Sequence, residues 1–191
     1  GGLTVFDRNS PWSVAIHLGL ALVLLSLVIS IARMNAVSNF NWKTHSRRNS
    51  CQVISMLAGL VVATMVSGVI VAKSGATVSC VGWPLCNGQL VPNLNDSRVV
   101  LHVMHRLLAL TTLIGILSYA CWKWSLRHLA ALVILQVVVG AGVTTVYAGN
   151  SFALQIGIGV LHQFFAVIIF ATLVWLFWTP APASADRCGP K

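Results

Sequence analysis

The stretch His102-Val103-Met104-His105-Arg106-Leu107-Leu108-Ala109 places two histidines and an arginine inside an apolar segment that runs from Val99 to Cys121. A segment of this length can cross the hydrocarbon core of a bilayer, which needs about 20 residues of helix. Ionisable groups at that depth are costly, and they normally pair with another group or with a bound cofactor. The stretch therefore predicts a membrane helix that contributes side chains to an internal site.

The composition of the whole chain is that of a membrane protein. Of its 191 residues, 57% are hydrophobic and 8% are charged, and the three acidic residues are all aspartates. A soluble domain carries about 25% charged residues, so this chain lacks the charge to cover a water-exposed surface. Its net charge of +9 lies in short segments between apolar runs, which is typical of membrane topology and argues against nucleic-acid binding.

Five apolar segments are long enough to span a bilayer, and they predict an all-α integral membrane protein with five transmembrane helices. The segments run roughly from Val14 to Ala32, Val53 to Ala72, Val99 to Cys121, Leu129 to Ala148 and Phe152 to Trp178. The lipid bilayer is accordingly the first predicted partner of the chain.

Lysines and arginines predict the orientation, because the more basic side of a membrane protein faces the cytoplasm. One side carries Arg33, Lys43, Arg47, Arg48, Lys123, Arg127, Arg187 and Lys191, and the other carries Arg8, Lys73 and Arg98. We therefore predict a multi-pass protein of the cell membrane, with the N-terminus outside and the C-terminus in the cytoplasm.

Cysteine positions agree with this orientation. Cys80 and Cys86 share one predicted outer loop, whereas Cys51, Cys121 and Cys188 lie at cytoplasmic ends or in the tail. Because disulfides persist on the oxidising side of a membrane, we predict a structural disulfide between Cys80 and Cys86. The alternative is a thiol oxidoreductase that uses this pair with a quinone. The pair is spaced more widely than the usual Cys-x-x-Cys, and that alternative leaves the membrane histidines unexplained.

Two parts of the chain resemble each other. Residues 1–5 and residues 142–146 share a Gly-Thr-Val pattern, and each is followed by an Asn-Ser pair and a histidine-bearing helix. In the second copy this pattern ends a membrane helix. By analogy, residues 1–5 end a helix that begins upstream, and we predict that the chain is a fragment of a longer protein.

Three of the six histidines share a depth in the membrane. His17, His105 and His162 lie roughly 9–15 Å below the outer surface at 1.5 Å per residue, on helices that run in the same direction. Haem is apolar, fits between bundle helices and accepts imidazole on both faces of its iron. We therefore predict that His105 and His162 bind a haem iron. A hydrogen bond to a neighbouring helix is the alternative for any one of these histidines alone.

The haem propionates need polar or cationic partners, and two residues are predicted to provide them. Arg106 adjoins His105, and His102 lies one turn away from His105 on the same helix face. For Arg106 the alternative is snorkelling to lipid headgroups. A zinc or copper site is disfavoured because no third ligand or carboxylate lies near the same face.

Several of these motifs together resemble the haem A synthase family. The loop from Cys80 to Gly88 is similar to that family's Cys-Pro-Asp-Trp-Pro-Leu-Cys signature, and His105-Arg106 to its His-Arg motif. The other matching elements are Leu135-Gln136 with Gly140, Leu161-His162-Gln163 with Ala166, and residues 1–5 with Ile16-His17-Leu18 and Ala21. The similarity covers nearly the whole chain.

Members of that family have eight helices in two related halves, each with a histidine pair. The resemblance implies that residues 51–178 form a C-terminal four-helix haem-binding bundle and residues 179–191 a cytoplasmic tail. Residues 1–50 would hold the end of one helix, a transmembrane helix and a cytoplasmic loop. These elements would belong to the N-terminal half, a second bundle that is incomplete in this chain. The resemblance also implies haem b at His105 and His162, and it adds Gln163 to the cofactor-binding residues. His17 would bind a second haem together with a residue outside this chain.

The implied activity is oxidation of a methyl group of haem O to the formyl group of haem A. The family's reactive half has a glutamate three residues before its His-Arg motif, whereas His102 holds that spacing here and the chain has no glutamate. We therefore expect no catalytic residue on this chain. The alternative function is a non-catalytic membrane cytochrome b subunit for electron transfer or assembly. Both functions imply electron-donor or oxidase-assembly membrane proteins as partners, and both are compatible with an oligomer.

Overall fold

The computed structural model describes residues 2–36, 49–122, 126–147, 149 and 151–179, and most of these residues are helical. The helices are α1 (Gly2–Phe6), α2 (Pro11–Ala36), α3 (Asn49–Lys73), α4 (Ser97–Trp122), α5 (Arg127–Val146) and α6 (Phe152–Phe177). A short 3-10 helix at Ala76–Val78 lies in the connection between α3 and α4. The described ranges contain no β-strand, only an isolated bridge between Cys86 and Gln89.

Five helices, α2 to α6, are long and apolar enough to cross a membrane. The predicted all-α integral membrane protein with five transmembrane helices is therefore confirmed. The helices extend a few residues beyond most of the predicted segments, since α2 begins at Pro11 and α3 at Asn49. The predicted end of the fourth segment at Ala148 lies outside the described residues.

Short-range polar contacts set where the helices begin. The Asp96 carboxylate accepts the Arg98 N–H at 2.9 Å at the start of α4, as an N-cap residue does. The Ser10 hydroxyl accepts the Ser13 N–H at 3.2 Å, and Pro11 follows at the first helical position of α2, where no N–H is needed. After α3, Gly75 adopts a φ of +72°, a left-handed conformation that favours glycine and turns the chain away.

Helices α3, α4, α5 and α6 form a closed ring, in which each contacts the next and α6 contacts α3. Side chains from all four helices fill its centre, among them Leu57, Ile116, Leu129 and Leu173. Within a bilayer such interfaces are stabilised mainly by close packing, because lipid tails are as apolar as leucine. The predicted boundary between residues 50 and 51 stays a prediction, although the ring falls on its C-terminal side.

Helix α2 lies outside the ring, against α3 and α6. The indole N–H of Trp178 donates to the Ser30 hydroxyl at 2.8 Å, and the Arg33 guanidinium carbon lies 4.2 Å from the centre of the Trp175 ring. These contacts join α2 to α6 at the end of the bundle that is remote from the 74–96 connection, which we call the 74–96 loop. Helix α1 packs on α2.

Several residues behind the orientation prediction lie outside the described residues, as does most of the predicted tail. They are Lys43, Arg47, Arg48, Lys123, Arg187 and Lys191, and Cys188 of the predicted tail lies outside as well. The sidedness of the protein therefore stays a prediction.

Candidate functional site

A cavity of about 300 Å³ lies inside the ring of α3 to α6, in the half that is nearest the 74–96 loop. Its walls are mostly apolar, with a few polar side chains directed to the same space, which is the usual character of a cofactor site. The polar and aromatic lining residues include Thr64, Trp83, His102, His105, Arg106, Gln136, Tyr147, His162 and Gln163.

His105 enters the cavity from α4 and packs against α3. Its Nδ1 lies 2.9 Å from the Ser67 hydroxyl, and its ring lies over Gly68. A Cβ atom at Gly68 would stand 3.0 Å from Cε1 of His105. The glycine therefore leaves the space that the imidazole occupies, and the neighbouring serine orients the ring.

His162 enters from α6 and packs against α5 in the same manner. A Cβ atom at Gly140 would stand 2.8 Å from Cε1 of His162, so this ring also depends on a glycine of the neighbouring helix. The Gln136 amide nitrogen lies 3.4 Å from Nε2 of His162. Nδ1 of His162 and Oε1 of Gln136 are buried, and neither has a hydrogen-bond partner among the described residues.

The other two polar residues of the quoted stretch bind the 74–96 loop. His102 is 3% exposed, and its Nδ1 lies 2.9 Å from the Ala76 carbonyl. The Arg106 guanidinium donates to the carbonyls of Leu85, Cys80 and Gly82 at 3.2, 2.8 and 2.7 Å. Three of the five N–H groups of an arginine are thus used inside the protein. Arg106 therefore ties the cavity wall to the loop.

The loop itself is folded back around two cysteines. Cys80 and Cys86 form a pair with Cα atoms 4.8 Å apart, which suits a disulfide, and both are buried beside Val99. The Asn87 side chain accepts the Val81 N–H and donates to the Ser79 carbonyl, both at 2.9 Å. The Trp83–Pro84 peptide bond is cis, and Trp83 lines the cavity.

Comparison with known proteins gives the family. A sequence model of the cytochrome oxidase assembly protein family COX15-CtaA matches residues 2–174. The chain belongs to this family. Because proteins named Heme A synthase also match along most of the chain, the predicted haem A synthase resemblance is confirmed.

Three of these relatives show how far the similarity extends. The Heme A synthase of Alkalihalophilus pseudofirmus is 26% identical over 186 residues, which cover 92% of the chain and 61% of that protein. That of Brucella anthropi is 27% identical over 198 residues, covering 91% and 52%. That of Geobacillus kaustophilus is 29% identical over 122 residues, covering 58% and 38%. The chain thus spans about half the length of these relatives. No solved structure matches it significantly.

The structure brings together five of the six predicted haem-site residues, since His102, His105, Arg106, His162 and Gln163 all line the cavity. His17 is the exception. It lies on an exposed side of α2 and is not among the lining residues. No group of three or more His, Cys, Asp or Glu side chains suited to a metal ion occurs in the described ranges.

Four further residues shape the site and had no assigned role in the sequence. They are Ser67, Gly68, Gln136 and Gly140. Gln136 and Gly140 are four residues apart, so they share one face of α5, and that spacing is a usable signal. Ser67 and Gly68 interrupt an apolar run, but small residues are ordinary in membrane helices. Only the structure shows that they meet a histidine.

Replacement of Arg106 is expected to loosen the 74–96 loop. Arg106→Ala removes three hydrogen bonds from a charged donor, each contributing about 1.5–3 kcal/mol. Opening of the loop should therefore become at least about tenfold more frequent. The measurement is the rate at which a mild reductant and a maleimide label Cys80 and Cys86 in the purified protein.

Arg98→Ala is the matched control, because Arg98 is exposed in the first turn of the same helix and its side chain has no role in the loop. In this variant, Cys80 and Cys86 should be labelled at the same rate as in the unmodified protein. Equal labelling rates in Arg106→Ala and Arg98→Ala would contradict the proposed loop contact.

Proposed function

We propose that the bundle of α3 to α6 holds a haem b whose iron is bound by His105 and His162. The supporting observation is that the two imidazoles, from α4 and α6, line one cavity, and that each packs over a glycine of the neighbouring helix. A haem with two histidine ligands supplies reversible one-electron redox chemistry when bound. The chain's own residues orient the ligands and exclude water from the site.

The donor set and the surroundings fit this cofactor. The cavity is largely apolar, as the porphyrin requires, and two neutral imidazoles suit both faces of its iron. Nδ1 of His162 and Oε1 of Gln136 are buried and make no hydrogen bond among the described residues, as expected of polar groups at a binding site. His102, Arg106 and Gln163 are proposed as the polar partners of the propionates. Arg106 retains two N–H groups for that role beyond the three it donates to the loop.

The proposal extends to the cysteine pair, the side of the membrane on which the C-terminus lies, and His17. We propose that Cys80 and Cys86 form a structural disulfide in an outer loop, and that the C-terminus is cytoplasmic. His17 is proposed as the ligand of a second haem whose other ligand lies outside this chain. Its position on α2, away from the cavity of His105 and His162, is compatible with a separate site.

The whole protein is proposed to act in haem A biosynthesis, oxidising a methyl group of haem O to a formyl group. The support is the name Heme A synthase carried by relatives that match most of this chain. On this chain we propose no catalytic residue, and the His105–His162 half would transfer electrons or stabilise the fold. Its partners would be an electron donor and oxidase-assembly membrane proteins.

The haem-ligand proposal predicts the spectra of two variants. His105→Ala and His162→Ala each remove one axial ligand, so both should lose the low-spin absorption of a bis-histidine haem. The measurement is the visible spectrum of the purified protein, with pyridine haemochrome analysis for haem type. His128→Ala, at the exposed start of α5, is the control and should leave the spectrum unchanged. Unaltered spectra in both ligand variants would refute bis-histidine binding.

The glycine contacts predict a second pair of variants. Gly140→Ala forces the His162 ring to move, since the new Cβ would stand 2.8 Å from Cε1. Overpacking of this kind costs about 1–3 kcal/mol, so haem affinity should fall roughly five- to hundredfold. Gly157→Ala is the control on α6, because nothing lies within 4 Å of its Cβ position. Equal haem affinity in the two variants, measured by haem titration of the apoprotein, would count against the arrangement.

The activity proposal concerns the whole protein, so it is tested on the full-length product of the gene. Supplied with haem O, dioxygen and a reductant in membranes, that protein should produce haem A, detected by chromatography of extracted haems. A protein that shows the haem b spectrum but leaves haem O unchanged would instead support the cytochrome b subunit.

A further inference from the structure

The contacts of Ser67 favour one tautomer of His105. The Ser67 hydroxyl oxygen lies 2.8 Å from the Thr64 carbonyl and 2.9 Å from Nδ1 of His105. A carbonyl can only accept, so the 2.8 Å contact between the two oxygens is favourable only when the hydroxyl proton is donated to Thr64. The hydroxyl oxygen then accepts a hydrogen bond from Nδ1–H of His105. This arrangement satisfies both contacts and leaves Nε2 unprotonated, which is the form that binds a metal.

The surroundings of His162 are different. Its Nδ1 is buried and makes no hydrogen bond among the described residues, and no hydroxyl stands behind this ring as Ser67 stands behind His105. Its Nε2 lies 3.4 Å from the Gln136 amide nitrogen, which can donate a hydrogen bond to the same lone pair that an iron would use. The Gln136 carbonyl oxygen is itself buried without a partner. Gln136 is therefore held only weakly in this position.

We propose that the two histidines are unequal ligands, and that Ser67 is the residue that makes them so. This inference rests on the proposed haem site. His105, oriented by Ser67, is the permanent ligand, whereas His162 is the exchangeable one. A hydrogen bond to the second nitrogen of a histidine ligand raises its basicity and fixes its ring. His162 has no hydroxyl in the equivalent place among the described residues, and the Gln136 amide competes for its Nε2.

The packing of the two rings argues that the difference is electronic and not steric. Each ring lies over a glycine of the neighbouring helix, and the Cβ positions at Gly68 and Gly140 are 3.0 and 2.8 Å from the imidazole carbon. The space given to each ligand is therefore nearly the same. Only the hydrogen-bond partners differ, so a variant that removes one hydroxyl tests the proposal directly.

The exchangeable side is open to a particular class of ligand. If His162 released a bound haem, Gln136 would be placed to take its Nε2, and the vacated place would lie inside an apolar cavity. A small, neutral, diatomic ligand suits that position, because it needs no charge partner. Carbon monoxide is the probe of choice, since it binds reduced iron and changes the visible spectrum.

The first experiment compares the two ligand variants for haem content. His162→Ala should retain haem in a five-coordinate, high-spin form that binds carbon monoxide, while His105→Ala should lose most of its haem. Helical circular dichroism of both proteins checks that they are folded. Equal haem retention in the two variants would overturn the proposed inequality.

The second experiment tests Ser67 as a positioning residue. Ser67→Ala should release haem roughly 10- to 100-fold faster, the usual effect of losing a hydrogen bond behind a ligand. Its midpoint potential should rise, because a less basic imidazole stabilises the oxidised iron less. Ser67→Thr keeps the hydroxyl and should restore both values. Haem release is measured by transfer to a soluble acceptor protein, and the potential by redox titration.

Ser55→Ala is the matched control on the same helix, because the Ser55 hydroxyl donates to the Cys51 carbonyl and contacts no histidine. It should match the unmodified protein in release rate and potential. A Ser67→Ala protein indistinguishable from Ser55→Ala would refute the role of Ser67 while leaving bis-histidine binding intact. Low-spin spectra that persist in both His105→Ala and His162→Ala would refute the haem site itself, so the two failures are distinguishable.

Discussion

The packing of an imidazole over a glycine of the neighbouring helix is the contact on which the candidate site depends. A histidine ring that points between two helices needs space that a larger residue would fill, and Gly68 and Gly140 provide it. Each contact also sets how closely its two helices approach, α3 to α4 and α5 to α6. The two helix pairs, α3 with α4 and α5 with α6, close into one ring. The cavity inside the ring therefore receives one imidazole from each pair.

The bilayer explains why the polar side chains of the helix ring form hydrogen bonds within the protein. Hydrocarbon offers no hydrogen bonds, so a polar group at membrane depth must find its partner in the protein. His102 and Arg106 reach the carbonyls of the 74–96 connection, and His105 reaches Ser67. Against that background, the buried and unpartnered atoms of Gln136 and His162 are exceptions. In a membrane protein such exceptions point to a functional site.

The sequence predicted the spans well because their signal is local. Hydrophobicity over about 20 residues identifies a membrane helix without knowledge of its neighbours, and α2 to α6 follow the predicted segments within a few residues. The convergence of His105 and His162 was also predictable, since their helices run in the same direction from the same side. The partners of the predicted residues were not predictable. Ser67 is 38 positions from His105, and only helix packing brings them together.

Arg106 has contacts that its adjacency to His105 in the sequence does not reveal. Its place beside His105 suggested a propionate partner, yet its three shortest contacts are carbonyls of Cys80, Gly82 and Leu85. A carbonyl cluster of this kind forms only where the chain turns back on itself, and the paired cysteines and Asn87 produce that turn. The carbonyls thereby hold the guanidinium in place by charge–dipole interactions and leave its positive charge intact. Trp83, on the same loop, lines the cavity, so the guanidinium couples the position of the loop to the shape of the site.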